Sequence, residues 1–303
     1  MKIQSKITLL LLLSTFIVGC KTAKDLQKVE CSIQTISYDI DTARIVGNLS
    51  KAVQIRTCSM IGDFIDNGQA FLDFHLFLQK SYPRIHQYAE RYIINQYSLI
   101  YHFKGTKNNL SPCVWLAHQD VVPENFPEKW TFDPWAGTIR DGYVYGRGTL
   151  DMKSTLISLM EAMEFLLEKG FKPERDIYFC FGHDEEPPTT NGAKEIAKWF
   201  QKKNIIPAFI IDEGGVVLDG HLFGLEHTFA LIATSEKGYV DIKVTVSNNG
   251  GHGSLPSYPT TIGQLSEVLQ KIEQNPMKSK FTPALQQTIK EASPYLPKKY
   301  KWL

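Results

Sequence analysis

The spacing of apolar positions changes along the chain, and the changes mark its elements. From Ala43 to Phe77 apolar residues recur at helical intervals, with Phe71, Phe74 and Phe77 three apart, so core-facing helices are predicted until Pro83 breaks the pattern. Ser98 to Phe103 and Cys113 to Ala117 are β-rich runs. Between them Gly105 to Pro112 supply the polar turn residues of a hairpin or a short crossover. Leu156, Leu159, Met163 and Leu166 share one face of a helix predicted from about Met152 to Lys169, which Gly170 ends as a C-cap. A strand at Asp176 to Gly182, a helix from about Ala193 to Lys203 and a strand at Ala208 to Ile211 continue the alternation. Strands and helices in this order predict right-handed βαβ units, hence an α/β sheet with helices on both faces.

After Leu231 the texture changes. Tyr239 to Val246 alternates apolar and polar, as an antiparallel strand with one wet face does, and Thr261 to Gln274 is helical. These predict the start of a second, α+β domain. The expected organisation is a leader over residues 1–19, a tether over 20–41, a catalytic domain over 42–235 and an incomplete lid or dimerisation domain over 236–303.

The leader reading rests on Met1, Lys2 and Lys6 as a basic start, an apolar run from Ile7 to Val18, and Gly19-Cys20. A dozen residues fall short of the roughly 20 that a bilayer-spanning helix needs. Ile17-Val18-Gly19-Cys20 resembles a bacterial lipobox, which makes Cys20 the expected lipidation site and the protein exported, with a lipid anchor as its only membrane contact. Composition narrows the function. At 303 residues, 43% hydrophobic, the chain can bury a sizeable core, and 33 Lys and Arg against 32 Asp and Glu give no basic field for nucleic acid. Cys31, Cys58, Cys113 and Cys180 are too few for a disulfide framework, and the last two sit in apolar runs as packing residues.

Candidate chemistry gathers where predicted strands end. Val114 to Ala117 leads into His118-Gln119-Asp120, Ile177 to Gly182 into Asp184-Glu185-Glu186, and Phe209 to Ile211 into Asp212-Glu213. Asp151 begins a helix just after Gly146-Arg147-Gly148. In open α/β sheets ligand sites lie beyond the carboxyl ends of strands. Taken singly, these residues have simpler readings: Asp151 as a helix N-cap, 184–186 as a solvated acidic loop, Asp212-Glu213-Gly214-Gly215 as a turn. Jointly they converge, and concentrated carboxylates repel one another unless a cation neutralises them. One imidazole with several carboxylates suits zinc, manganese or cobalt.

Five motifs then occur in order: His118-Gln119-Asp120-Val121-Val122-Pro123, Tyr145-Gly146-Arg147-Gly148 with Asp151 and Lys153, Gly182-His183-Asp184-Glu185-Glu186, Asp212-Glu213-Gly214-Gly215 and Gly251-His252-Gly253-Ser254. Together they resemble the aminoacylase and carboxypeptidase family of dizinc metallopeptidases, nearest its carboxypeptidase S and N-acyl-amino-acid hydrolase branch. The similarity runs from about Ile45 through Pro256. It implies a zinc-peptidase-like sheet and two zinc ions, with His118 and Asp212 on one, Glu186 on the other and Asp151 bridging. Asp120 is implied to orient His118, Glu185 to act as general base, and His252 to donate to the oxyanion from the lid. A cis peptide at Asp151-Met152 is implied as well. The implied substrate is a small peptide or an N-acyl amino acid, cleaved by water that the metals activate, and the lid can mediate a homodimer. His183, His221 and His227 are read as structural.

Two departures from the family pattern stand out. Pro187-Pro188-Thr189-Thr190-Asn191 follows the glutamate pair where the family is richer in glycine, and no histidine after the lid motif matches the family's remaining zinc ligand. The alternative to an amidohydrolase is therefore a shortened, non-catalytic remnant or binding lipoprotein of the same fold. An exopeptidase acting from the amino end is disfavoured by the lid motif.

Overall fold

The computed structural model describes residues 38–59, 68–187, 191–223, 228–234, 236, 238, 240–255 and 258–296. The expected leader, Cys20 and nearly all of the tether lie outside these residues, as does His227. Among the described residues no helix is long and apolar enough to cross a membrane. The chain divides into two compact units, and the described parts of these are 38–213 and 214–296.

The first unit begins with helices α1 (Thr42–Gln54), α2 (Gly68–Ser81) and α3 (Pro83–Tyr88). Asp41 caps α1 by accepting the Arg44 amide at 2.9 Å. Pro83 occupies the first turn of α3, where a missing N–H costs no hydrogen bond, so the break predicted there is a change of helix. Strands β1 (Glu90–Ile94), β2 (Ser98–Phe103) and β3 (Cys113–His118) follow, then a small hairpin of β4 (Thr138–Arg140) and β5 (Tyr143–Tyr145). Helix α4 (Lys153–Glu168), β6 (Ile177–Gly182), α5 (Ala193–Lys202) and β7 (Phe209–Ile211) complete the unit.

The five-stranded sheet has the order β1-β2-β6-β3-β7. The parallel pairs β3/β6 and β3/β7 are the predicted βαβ units. A hairpin of β2 with β3 does not form, because β6 lies between them, parallel to β3 and antiparallel to β2. The antiparallel partner of β2 on its other side is β1, joined by a tight turn with Asn95 and Gln96 at positive φ.

Period-two alternation decides which core each strand residue enters. Leu99, Tyr101, Phe103, Ala117, Phe179 and Phe181 pack under α1 to α4 with Phe74, Leu78, Ile85, Leu156 and Met160. Ile100, Val114, Tyr178 and Cys180 face the other way and pack on Ile196 and Phe200 of α5. Helices therefore cover both faces. Fully burying one such Leu, Ile or Phe side chain contributes about 1.5–3 kcal/mol.

Buried polar groups tie the helices together. Glu161 of α4 accepts from Arg44 at 2.7 Å, Asn48 at 2.7 Å and Tyr82 at 3.1 Å. Glu164 accepts the Arg84 and Ile85 amides, each at 3.0 Å, at the otherwise unsatisfied start of α3. The Lys153 ammonium, fully buried at the start of α4, donates to the carbonyls of Ala52 at 2.9 Å and Ile55 at 2.6 Å, where α1 ends. Its burial brings its pKa down to about 7.

Burial also lowers the pKa of His75 and His86 below the ordinary histidine value of 6.5. Between the folded and unfolded pKa values the unfolded chain binds more protons, so stability rises with pH there and is lost as pH falls below about 6.5. In the metal-free protein the raised pKa values of His118 and Glu186 act in the opposite direction, so the His75 contribution is read as a difference: from pH 7.5 to pH 5.5 the urea midpoint of the unaltered chain is expected to drop relative to that of His75→Gln. An equal change in both would exclude His75 as a contributor.

The second unit contains the two-stranded sheet of β8 (Val216–Leu218) and β9 (Phe229–Leu231), then α6 (Thr261–Gln274) and α7 (Pro283–Ala292). Helix α6 spans the predicted segment, with Thr260 accepting the Gly263 amide at 3.1 Å. For the strand predicted at 239–246, the described residues 240–246 form no ladder with other described residues and are largely exposed. Alternation alone makes no strand without a hydrogen-bonding partner.

Candidate metal centre and active site

β3 and β6 run side by side in parallel and end level, with His118 opposite Gly182, so the residues after both strands meet at one edge of the sheet. The Gln119 amide extends the ladder by donating to the Gly182 carbonyl at 2.8 Å. Gln119 itself is fully buried, and its side-chain amide donates to the carbonyls of Tyr97 at 2.8 Å and Phe181 at 3.0 Å, joining β3 to the β1–β2 turn and to β6. The segment Thr57 to Ser59 runs beside 119–121, with Thr57 Oγ1 donating to the Gln119 carbonyl at 2.6 Å and the Val121 amide to the Thr57 carbonyl at 3.0 Å.

Asp151 is brought to this edge by the turn before α4. Gly148 has φ +81°, and a Cβ there would lie 2.5 Å from Val121 Cγ1, so only glycine lets the turn approach the sheet. The peptide bond Asp151-Met152 is cis, as the resemblance implied.

His118 is 3% exposed, and its Nδ1–H donates to the Asp120 carbonyl at 2.9 Å. That commits Nδ1 as a donor and leaves Nε2 as the atom that faces the carboxylates. Nε2 lies 2.9 Å from Asp151 Oδ1, 3.8 Å from Glu185 Oε2 and 3.8 Å from Glu213 Oε1. Ligand atoms of His118, Asp151 and Glu213 all fall within 4.8 Å of one another, a set that can hold a metal ion.

Asp120 is fully buried beneath these groups, with its Oδ1 3.5 Å from His118 Nδ1. Its carboxylate accepts from Ser59 Oγ at 2.8 Å and from the amides of Glu185 and Glu186, each at 3.1 Å. Beyond orienting the imidazole, it therefore holds the backbone of the glutamate pair. Burial alone would raise its pKa, but the bonds from His118, Ser59 and the Glu185 amide hold it below the usual carboxylate range.

The other charges read as a concentrated negative field. Burial alone would lower the His118 pKa, yet Asp120, with a contribution from Glu213, lifts it to about 10. Burial, then the Asp151 charge, pushes Glu186 up to about 7. Burial raises Glu185 and Glu213 as well; His118 opposes, and Asp151 and Asp212 add to the rise. A divalent cation relieves this repulsion, and a donor set of one imidazole nitrogen and several carboxylate oxygens fits zinc.

The assignment of Asp212 needs comparison with its neighbour. The structure brings Glu213 into the ligand-sized triad, while Asp212 Oδ1 accepts the Glu213 amide at 2.9 Å. Asp212 remains close enough for its charge to raise Glu185 and Glu213. Glu186 shares the field of Asp151 and His118. Sequence reasoning missed Ser59 and Gln119. It placed the Asp212-Glu213 pair at the site and, by resemblance, took Asp212 from it; successive residues past a strand point to opposite sides, and spacing cannot say which faces the metal. His252 belongs to the second unit, where its Nδ1 lies 2.7 Å from Ser254 Oγ. His183 is buried with Nδ1 2.6 Å from Ser98 Oγ, in the structural role expected, and His221 is exposed beside Asp219.

A cavity of about 490 Å³ opens beside the cluster, with His118, Glu185 and Glu213 in its wall and Val114, Ile196 and Phe200 among its apolar lining.

The chain is 42% identical over 254 residues to a probable carboxypeptidase S-like 2 of Dictyostelium discoideum, covering 82% of this chain and 48% of that protein. It is 38% identical over 252 residues to the N-fatty-acyl-amino acid synthase/hydrolase PM20D1 of Xenopus tropicalis, covering 82% and 49%. It is 34% identical over 276 residues to carboxypeptidase S of Saccharomyces cerevisiae, covering 84% and 47%. The chain spans about half the length of the curated relatives it matches. The family model for peptidase family M20/M25/M40 matches residues 114–297, which include His118, Asp120, Asp151, Glu185, Glu186, Asp212 and Glu213, and the chain belongs to that family.

Proposed function

We propose that this protein is a zinc-dependent hydrolase that cleaves an amide or peptide bond next to a C-terminal amino acid, with a small peptide or an N-acyl amino acid as substrate. The observation that carries the reading is the convergence of His118, Asp151 and Glu213 within ligand distance, with Glu185 3.8 Å from the same imidazole nitrogen. His118 and Asp151 would hold zinc together with an acidic residue of the Asp212-Glu213 pair, and Glu186 together with Asp151 would hold a second ion. When bound, zinc supplies Lewis acidity that polarises the scissile carbonyl and makes water more acidic.

The protein's own groups do the rest. Asp120 fixes the ring of His118 and the amides of Glu185 and Glu186. Glu185 takes a proton from the attacking water and returns it to the leaving nitrogen as the C–N bond breaks, giving a carboxylate and a free amino acid. Names of the relatives support both substrate classes, since a probable carboxypeptidase S-like protein and an N-fatty-acyl-amino acid synthase/hydrolase each match 82% of this chain. Export as a lipoprotein is supported by the sequence of residues 1–20.

The test is elemental analysis of the purified chain together with release of free amino acid from N-acyl amino acids and dipeptides. The reading expects bound zinc, hydrolysis that a chelator stops, and recovery on adding zinc back. Hydrolysis that persists in the chelated, metal-free protein would refute it.

A further inference from the structure

The residue before the glutamate pair has no part in the chemistry above, yet Asp184 is 5% exposed and its carboxylate is engaged at both oxygens. Asp184 Oδ2 accepts the Asn191 amide at 2.8 Å and Oδ1 accepts the Gly192 amide at 2.6 Å. Gly192 stands directly before α5, so Asp184 joins the end of β6 to the start of that helix, where a negative charge is also favoured by the helix dipole. On the other side Asp120 accepts the amides of Glu185 and Glu186. The pair therefore lies between two buried carboxylate anchors.

Gly192 supports this from its own side. A Cβ there would lie 2.6 Å from Asp184 Oδ1, 2.9 Å from the His183 amide nitrogen and 3.0 Å from Ser98 Oγ, closer than carbon atoms pack. The absence of a side chain at 192 is thus what lets the carboxylate reach the amide. Next to it, Ser98 Oγ lies 2.6 Å from His183 Nδ1, which fixes the residue preceding Asp184 to β2.

We propose that Asp184 is a positioning residue for Glu185 and Glu186: by holding the Asn191 and Gly192 amides it completes, with Asp120, a backbone clamp on the two glutamates. Asp120 couples the clamp to His118, so the pose of the glutamates and the pose of the histidine are set by one hydrogen-bonded unit. The consequence for rate rests on the role proposed above for Glu185. The clamp itself does not.

Amide hydrogen exchange on the full, metal-free chain tests the clamp without any reference to activity. Asp184→Asn is expected to speed exchange of the amides at 185, 186, 191 and 192 by at least about tenfold, while those of α4 stay as protected as before. Gly192→Ala reaches the same contact from the opposite partner and is expected to give the same local pattern. In both variants zinc affinity, read by competition with a chelating indicator, is expected to fall by about 10- to 100-fold. In kinetics Asp184→Asn is expected to lower kcat with KM nearly unchanged, and to have no further effect in a Glu185→Gln background. Unchanged exchange at 185–192 in both variants would overturn the proposal, and so would a rise shared equally with α4, which is the signature of general destabilisation. A chain that shows the local exchange pattern but hydrolyses no N-acyl amino acid or dipeptide would instead overturn the hydrolase reading alone.

Discussion

Replacing Glu185 by Gln is expected to slow amide hydrolysis by about 10²- to 10⁴-fold, the usual contribution of a positioned general base. Bound zinc and the urea unfolding midpoint are expected to stay close to those of the unaltered chain. The separation follows from how Glu185 is held. Its backbone is fixed by Asp120 through the amide, which the substitution does not touch, while its side chain is about half exposed. Glutamine preserves the shape and removes the proton acceptor. In the metal-free chain burial and the charges of Asp120, Asp151 and Asp212 raise the pKa of the glutamate, with His118 opposing. The decisive comparison is kcat beside zinc content. Loss of rate with full zinc assigns Glu185 to proton transfer, loss of both makes it a ligand, and an unchanged rate removes it from the mechanism.

Much of this arrangement is legible in the sequence because the local signals are strong. The runs Leu99 to Phe103 and Tyr178 to Phe181 are almost continuously apolar, as strands covered on both faces are, and strand geometry sends their successive residues into two different cores. The acidic and histidine clusters can be placed at strand ends, and their convergence follows from parallel pairing of β3, β6 and β7. Strand order is less legible. The short link between β2 and β3 reads as a hairpin or a short crossover, and only long-range pairing decides for the crossover, with β6 between the two strands. β1 escapes because Glu90 and Arg91 are polar and, among the described residues, no strand neighbours its outer side, so its burial is weak. Residues 240–246 fail for the opposite reason, since they have the strand pattern but form no ladder with other described residues. Within the site, side-chain type identifies the metal chemistry, whereas the choice between Asp212 and Glu213 depends on which way each side chain points past the end of β7. Asp184 is hidden in the same way: in sequence it is one more acid in an acidic run, and only its two amide partners separate it from Glu185 and Glu186.

Asp120→Ala is expected to weaken zinc binding by about 10- to 100-fold and to lower stability together with it. Three donors lose their acceptor: Ser59 Oγ and the amides of Glu185 and Glu186. A buried donor left without a partner costs about 1–3 kcal/mol, and water that reaches the part-buried amides lowers their share. A loss of about 2–3 kcal/mol is therefore expected for the substitution as a whole. His118 keeps its bond to the Asp120 carbonyl, because that acceptor is backbone, so the ring is not simply released. It loses instead the buried charge 3.5 Å from Nδ1 that makes Nε2 a better ligand. Asp120→Asn separates the two contributions. The amide retains one acceptor oxygen for the glutamate backbone but carries no charge, so it is expected to recover part of the stability and little of the zinc affinity. Denaturant unfolding in chelator, set beside a zinc competition assay, reads the two independently. If Asp120→Asn restored zinc affinity in full, the charge of Asp120 would have no part in tuning His118, and the carboxylate would act on the site only through the backbone of Glu185 and Glu186.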